Sequence, residues 1–398
     1  VGSEMCIRDR AWAMTPATAA RRWSNEIAHF PVQFIIRDML DPTPTLDDAL
    51  ESWIMLSTPT TDARWRLWQQ YAPAACAAQP NAMYELAYRL NARPGAIADA
   101  ARIPSAAPAT MAAAIRSAGR ELLGGLAQPL ECPFTPDDLI VSDGVRAALD
   151  DFVFEARDRG AFWEQPEARR LFPQGRGLAA LFAGSPGTGK TMAAQVIAAQ
   201  VGLDLFRIDL SQVVSKYVGE TAHNLQRVLS RAAGMDVVLF FDEADALFAR
   251  RTEVKDAHDR FANTDTDHLL QALESYGGIA LLATNRKANI DPAFLRRLRY
   301  VLEFPKPDAA QRWHIWVRVI AGLADEDAPR RLDKFIRHLA ADQELTGAQI
   351  KYVVLSAMFA ARRDGAVLSQ AHLIRGLDRE MSKEGRSLNE RERTRLEG

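Results

Sequence analysis

The sequence predicts an α/β fold, a parallel sheet flanked by helices, with a helical subdomain after it and a mainly helical region before it. Two observations predict this. From residue 177 short apolar runs (GLAALFAG, DLFRIDL, VVLFFDEAD, IALLATN, RYVLEFP) alternate with helical segments, and from 307 to about 380 strand signals cease. Continuous Val/Ile/Leu/Phe runs bounded by turn signals indicate strands buried on both faces. Regular strand–helix alternation indicates parallel pairing through crossover helices.

Composition sets the outer limits. The 398 residues are 48% hydrophobic, 25% charged and 8% aromatic, ordinary values for a folded chain. At roughly 100–200 residues per domain, two or three domains are expected. With 49 Lys and Arg against 51 Asp and Glu, the formal charge is −2, which argues against nucleic acid or an anionic membrane as a partner. Cys6, Cys76 and Cys132 are far apart, with no C-x-x-C pair or Cys/His cluster. Neither a disulfide framework nor a zinc site is indicated, and a cytoplasmic location is expected. No apolar run approaches the ~20 residues that span a bilayer.

Residues 1–10, VGSEMCIRDR, resemble translated adapter read-through and are set aside as non-native. On that expectation the chain is the C-terminal part of a longer protein. Residues 11–122 are rich in Ala, Trp and Arg; 81–100 read as helical with a Pro-Gly break, and 108–127 as another helix. Residues 131–138 form a Pro-punctuated lead-in. A helix follows over 142–160, capped by Ser142 and Asp143, with Val145, Leu149, Phe152 and Val153 on its buried face. In the helical region after 307, Trp313, Ile315, Trp316 and Val319 are expected in the core.

An internal repeat runs through these helices. TDARWRLWQQYAP (61–73) echoes DAAQRWHIWVRVI (308–320), with Trp65 matching Trp313 and Trp68 matching Trp316. SWIMLSTP precedes the first and YVLEFP the second, and Leu90, Gly95-Ala96 and Ile97 follow as Leu345, Gly347-Ala348 and Ile350 do. Residues 50–105 then read as the tail of a degenerate first copy of the same module.

Gly184-Ser185-Pro186-Gly187-Thr188-Gly189-Lys190-Thr191 fits G-x-x-x-x-G-K-[ST] and stands between an expected strand and an expected helix. Glycines let backbone N–H groups approach phosphate, and the helix N-terminus adds about half a positive charge. Lys190 can reach the β- and γ-phosphates, and the Thr191 hydroxyl can ligate Mg²⁺. The strand at 237–241 then delivers Asp242 and Glu243 at its C-terminal end, where open α/β sheets place ligands. Asp242 would support the metal and Glu243 polarise the attacking water. A further strand ends at Asn285, which could hydrogen-bond the γ-phosphate or orient the lytic water.

Taken together, GSPGTGKT, the strand ending DEAD, ATN at 283–285, DPAFLRRLR at 291–299, SKYVGET at 215–221 and GAQI at 347–350 resemble the AAA branch of the AAA+ ATPases. The resemblance covers about residues 130–375. It implies a P-loop core over 123–306, a helical lid over 307–385 and a tail over 386–398. It implies ATP and Mg²⁺ as cofactors and a homo-oligomeric, hexameric ring acting on a protein substrate. Arg296 and Arg297 look like arginine fingers entering a neighbour's site. The run Arg296-Arg297-Leu298-Arg299-Tyr300 departs from the usual R-P-G-R-F, which leaves open which of Arg296, Arg297 and Arg299 reach across. Lys216, Tyr217 and Val218 would line the pore. Ala348 stands where other branches carry a second-sensor arginine. RRTEVKDAHDRFANTD at 250–265 and DPAFLRRLRYVLEFPKPD resemble the AAA ATPases of contractile injection systems and phage-tail-like particles. The competing classes are a nucleic-acid motor or loader and an ATP-gated assembly factor.

Overall fold

The computed structural model describes residues 59–388, except 91, 104–106, 124–126, 173–176, 209, 211–219, 233–234, 247–270, 274, 326 and 387. These residues belong to one unit that begins at Pro59. In chain order the main elements are α1 (Thr61–Tyr71), α2 (Pro80–Arg89), α3 (Pro94–Ala101), α4 (Pro108–Leu123), β1 (Ala127–Leu130) and α5 (Asp143–Glu164). There follow β2 (Leu178–Gly184), α6 (Lys190–Val201), β3 (Asp204–Ile208), α7 (Glu220–Ala232), β4 (Val237–Phe241), β5 (Ile279–Thr284) and β6 (Tyr300–Phe304). The last four are α8 (Ala309–Leu323), α9 (Asp333–Asp342), α10 (Gly347–Arg363) and α11 (Gln370–Ser382).

The six strands run in the order β1-β3-β4-β5-β2-β6. All pairs are parallel except β1 with β3. Every residue of β4 and β5 is buried, as the unbroken apolar runs predict for strands covered on both faces. Side chains still alternate. Leu181, Leu239, Phe241, Ala280 and Leu282 enter one core, while Ala180, Phe182, Val238, Phe240 and Leu281 enter the other. Helix α5 closes the second core with Val145, Leu149, Phe152 and Val153, the four expected positions. Ser142 is its N-cap residue, but its side chain makes no capping hydrogen bond.

One expectation is corrected. Helix α4 ends at Leu123, and Ala127–Leu130 is an antiparallel edge strand instead of the end of a helix reaching 127. The strand is AQPL, too short for a period, and its Pro129 is tolerated because the strand lies at the edge of the sheet. Residues 52–58 of the strand-like run before the repeat lie outside the described residues.

Helices α8–α11 form a lid with its own core around Trp316, Ile336, Ile350, Val353 and Leu373. Trp316 is fully buried, and Trp313, Ile315 and Val319 pack at its margin. Capping boxes at Asp308–Gln311 and Thr346–Gln349 satisfy the first turns of α8 and α10. Helix α11 approaches α10 closely at Gly376, where a Cβ would stand 2.5 Å from the Val353 carbonyl oxygen. Gly376→Ala is therefore expected to destabilise the lid by about 1–3 kcal/mol. Gly322→Ala, in an open stretch of α8, is expected to be neutral or to stabilise by about 0.5–1 kcal/mol. Denaturant unfolding of the two variants checks the contrast.

Candidate functional site

Strand register assembles the site. Ala183 pairs with Thr284, Gly184 with Phe304 and Phe241 with Leu282, so the C-terminal ends of β2, β4, β5 and β6 finish along one edge. The segments leaving those ends are the glycine loop, Asp242-Glu243, Asn285 and Pro305. They line one cavity of about 360 Å³ together with Leu139–Ser142, between the lead-in and α5, and Ile315, Ala348 and Lys351 from the lid. The cavity thus brings together Pro186–Thr191, Asp242, Glu243 and Asn285, all singled out in the sequence.

Glycine is required at several points of the loop. Gly187 and Gly189 have φ of +79° and +104°, which disfavours any side chain. A Cβ on Gly184 would sit 2.2 Å from the Phe304 carbonyl oxygen. Lys190 begins α6 and is 7% exposed. Its Nζ donates to the carbonyls of Gly184 (2.8 Å) and Ser185 (2.9 Å). Burial pulls its pKa below the usual lysine value, and Asp242 and Asp245 oppose that shift. The Thr188 hydroxyl donates to the Ser185 carbonyl at 2.9 Å, while Thr191 is exposed at the cavity wall.

Opposite the loop, Asp242 is ion-paired with Arg207 of β3 at 3.2 Å and accepts from the Glu243 backbone N–H at 3.1 Å. Glu243 is exposed, and its φ of 55° is the only positive value of a non-glycine among the described residues. Such a conformation costs of order 1–3 kcal/mol and is held by its surroundings. Beside it, the buried Thr284 hydroxyl donates to Asp245 (2.9 Å) and accepts from the Arg286 N–H (2.9 Å). These two bonds brace the turn that carries Asn285.

The lid is joined to the loop and to the lead-in. The Ala348 N–H donates to the Gly187 carbonyl at 3.2 Å. Arg318 donates through Nη2 (2.9 Å) and Nε (3.1 Å) to Asp138. The Thr135 N–H above all, helped by the Thr135 hydroxyl and Arg318, holds the Asp138 carboxyl below its usual pKa against the opposing effect of burial. Lys351 places its Nζ 5.0 Å from the centre of the Phe134 ring. Burial lowers its pKa, opposed by Asp138. The sequence reading passed over Arg207, Asp245, Thr284, Lys351 and the Leu139–Val141 wall. Of these, the second Asp of DEAD and the Thr of ATN lay within motifs the sequence displays.

The three arginines differ in placement. Arg299 donates to the Gly177 carbonyl at 2.9 Å and pairs with Glu155 of α5, so it is engaged within its own subunit. Arg296 and Arg297, in the turn after a short helix at Pro292–Leu295, are exposed and do not line the cavity. Lys216, Tyr217 and Val218 lie outside the described residues, as does 250–265. Among the described residues no group of three or more His, Cys, Asp or Glu is placed to hold a metal alone. Thr191 and Asp242 suit Mg²⁺, which keeps several waters and takes its other ligands from phosphate. Among the described residues no helix is long and apolar enough to cross a membrane.

Residues 180–306 match the family model described as ATPase family associated with various cellular activities (AAA). The uncharacterized AAA family ATPase y4kL of Sinorhizobium fredii is 40% identical over 132 residues, 33% of this chain and 39% of that protein. The ATP-dependent zinc metalloprotease FtsH 3 of Sphaerobacter thermophilus is 33% identical over 244 residues, 58% of this chain and 48% of that protein. The proteasome-activating nucleotidase of Aeropyrum pernix is 30% identical over 208 residues, 50% of each. The chain thus spans half or less of the length of these relatives.

The Thr284 brace generates a prediction. Thr284→Val keeps the volume and removes both hydrogen bonds, which frees the Asn285 turn. Nucleotide turnover is expected to fall by about tenfold or more with KM little changed, a loss confined to the transition state. Steady-state kinetics check it.

Proposed function

We propose that this chain, built round an AAA-family ATPase domain at 180–306, hydrolyses ATP as one subunit of a homo-oligomeric ring and spends that hydrolysis on a protein substrate. The observation that carries the proposal is a division of labour among charged groups. The buried Lys190 and the Asp242–Glu243 pair share one cavity, whereas Arg296 and Arg297 are exposed outside it. Exposed arginines outside their own subunit's cavity suit completion of a neighbour's site.

In this reading the β- and γ-phosphates lie against the loop N–H groups and Lys190, which balances their charge. Thr191 and Asp242 would hold Mg²⁺, which when bound neutralises charge on the β- and γ-oxygens. Asn285 orients a water and Glu243 accepts its proton as the water oxygen bonds to the γ-phosphorus. The bond from that phosphorus to the bridging oxygen breaks, leaving ADP and phosphate. Arg296 and Arg297 from the adjoining subunit meet the charge that spreads over the transferring group.

The protein-substrate part is supported by relatives whose names speak of a metalloprotease and of proteasome activation. The chain has no H-E-x-x-H run and so no sign of its own for the former chemistry. Lys216, Tyr217 and Val218 are the proposed grip on polypeptide in the pore, Tyr217 through an amphipathic ring that packs and hydrogen-bonds. The likeness of 250–265 and 291–308 to ATPases of contractile injection systems makes a component of such a particle the proposed substrate class.

Glu243→Gln is expected to keep ATP affinity while lowering turnover by about 10²–10⁴-fold, read by equilibrium binding and phosphate release. The Arg296→Ala/Arg297→Ala double variant is expected to lose about 10³–10⁵ in turnover. Mixing it with a Lys190→Ala variant is expected to restore part of the rate, because each kind of subunit supplies what the other lacks. Equal turnover by isolated monomers would overturn the shared site. An unfolded protein is expected to stimulate hydrolysis and single-stranded DNA to leave it unchanged, which separates the threading reading from a nucleic-acid motor.

A further inference from the structure

The N-terminal helices repeat the lid atom for atom at its most unusual point. Arg312 is 7% exposed. Its Nε donates to the Ala340 carbonyl at 2.7 Å and its Nη1 to the Pro307 carbonyl at 2.6 Å. Arg64 is 5% exposed. Its Nε donates to the Ala87 carbonyl at 2.7 Å and its Nη1 to the Pro59 carbonyl at 2.6 Å. A buried arginine that ties a proline carbonyl before its own helix to an alanine carbonyl across a core is a rare solution, since burying the charge is costly unless its donors are met.

The surroundings repeat too. Thr60 caps α1 as Asp308 caps α8, each side chain accepting from the third residue of its helix. One turn beyond the arginine, Trp68 is 1% exposed and Trp316 0%. The neighbouring tryptophans are covered from the same position of the next long helix. Tyr84 meets Trp65 edge-on at 5.5 Å between centroids, and the Arg337 guanidinium lies 4.6 Å above Trp313. Met83, Leu86 and Ala87 of α2 are buried as Ile336, Leu339 and Ala340 of α9 are. Ile97 and Ile350 are both 0% exposed in the helix after that. This register places Gly95 opposite Ala348, one step from the match of the Gly-Ala pairs in the sequence.

What differs is the side that faces the cavity. Gln311, Ile315, Ala348 and Lys351 line it in the lid. Their counterparts are Ala63, Leu67, Gly95 and Ala98, and Gln70 replaces the Arg318 that clasps Asp138. The first copy has alanine where the lid has Gln311 and Lys351, and an uncharged amide where it has Arg318, while its core is intact. We propose that residues 59–101 are a second lid, preserved as a fold and stripped of its nucleotide face, so that the chain carries two such units and only the one after β6 answers to nucleotide. Helix α4 fastens this unit to the ATPase core, with Leu123 buried against Leu225 and Val228 of α7.

The naming of the nucleotide face rests on the function proposed above; the duplication does not. Hydrogen exchange on the full chain tests both parts. Arg64→Ala is expected to deprotect 61–101 and Arg312→Ala 309–354, and only the latter is expected to weaken binding of an ATP analogue, by about tenfold or more. The analogue is expected to protect 347–351 and leave 94–98 unchanged. Arg64→Lys and Arg312→Lys, which keep the charge and lose the paired donors, replace the alanine variants should those fail to fold. Unchanged protection of 61–101 in the Arg64 variants would overturn the shared architecture. Loss of affinity in them equal to that of the Arg312 variants, or protection of 94–98 by the analogue, would overturn the stripped face. Failure of the unaltered chain to bind the analogue would instead sink the nucleotide reading and leave the exchange result on duplication standing.

Discussion

Hydrogen bonding between β2 and its neighbours fixes where the chemistry of this molecule can occur. With Ala183 opposite Thr284 and Gly184 opposite Phe304, the strand that delivers the glycine loop ends level with the strands beside it. β4 joins the same edge through Phe241 and Leu282. A register slip of one residue would exchange the two faces of each strand. Leu181, Leu239 and Leu282 would then leave one core for the other, and both cores would lose their fit. The packing of two apolar layers therefore holds Lys190 opposite Asp242, and the site inherits its precision from the sheet.

On this edge the polar groups restrain one another. Lys190 is held by two carbonyls of its own loop, Asp242 by Arg207 and by a backbone N–H, and Thr284 by bonds on both sides. Glu243 is exposed and sits in a backbone conformation that nothing in its own chemistry favours. It is a carboxylate displayed to solvent on a strained turn, beside groups that are held in place. The lid reaches the same edge, because Ala348 and Arg318 bind the loop and the lead-in from outside the sheet.

Much of this was legible in the residues alone, for physical reasons. Lys190, Thr191, Asp242 and Glu243 are local to strand ends, and the strands advertise themselves by length and by Val, Leu and Phe content. β1 was not legible: AQPL carries no period, and its pairing with β3 depends on residues more than seventy positions downstream. The Arg207–Asp242 pair, the Leu139–Val141 wall and the Lys351 contact are likewise made through space. Arg296, Arg297 and Arg299 look equivalent in sequence, and the bonds of the third to the Gly177 carbonyl and Glu155 are made through space. The Trp repeat was visible because aromatic residues are scarce and easily aligned. Its buried arginines were hidden in a chain where arginine is common.

The Arg299 anchor has a consequence for a ring of such subunits. Gly177 lies immediately before β2, and the phosphate loop lies immediately after it. A strand is nearly inextensible, so β2 acts as a tie rod with the arginine turn fastened at one end and the glycine loop at the other. In the proposed ring, a pull on that turn by the adjacent subunit's triphosphate would arrive at the subunit's own loop along seven residues of backbone. Successive sites would then be strung on a chain of stiff links, each able to feel the load carried by the one before.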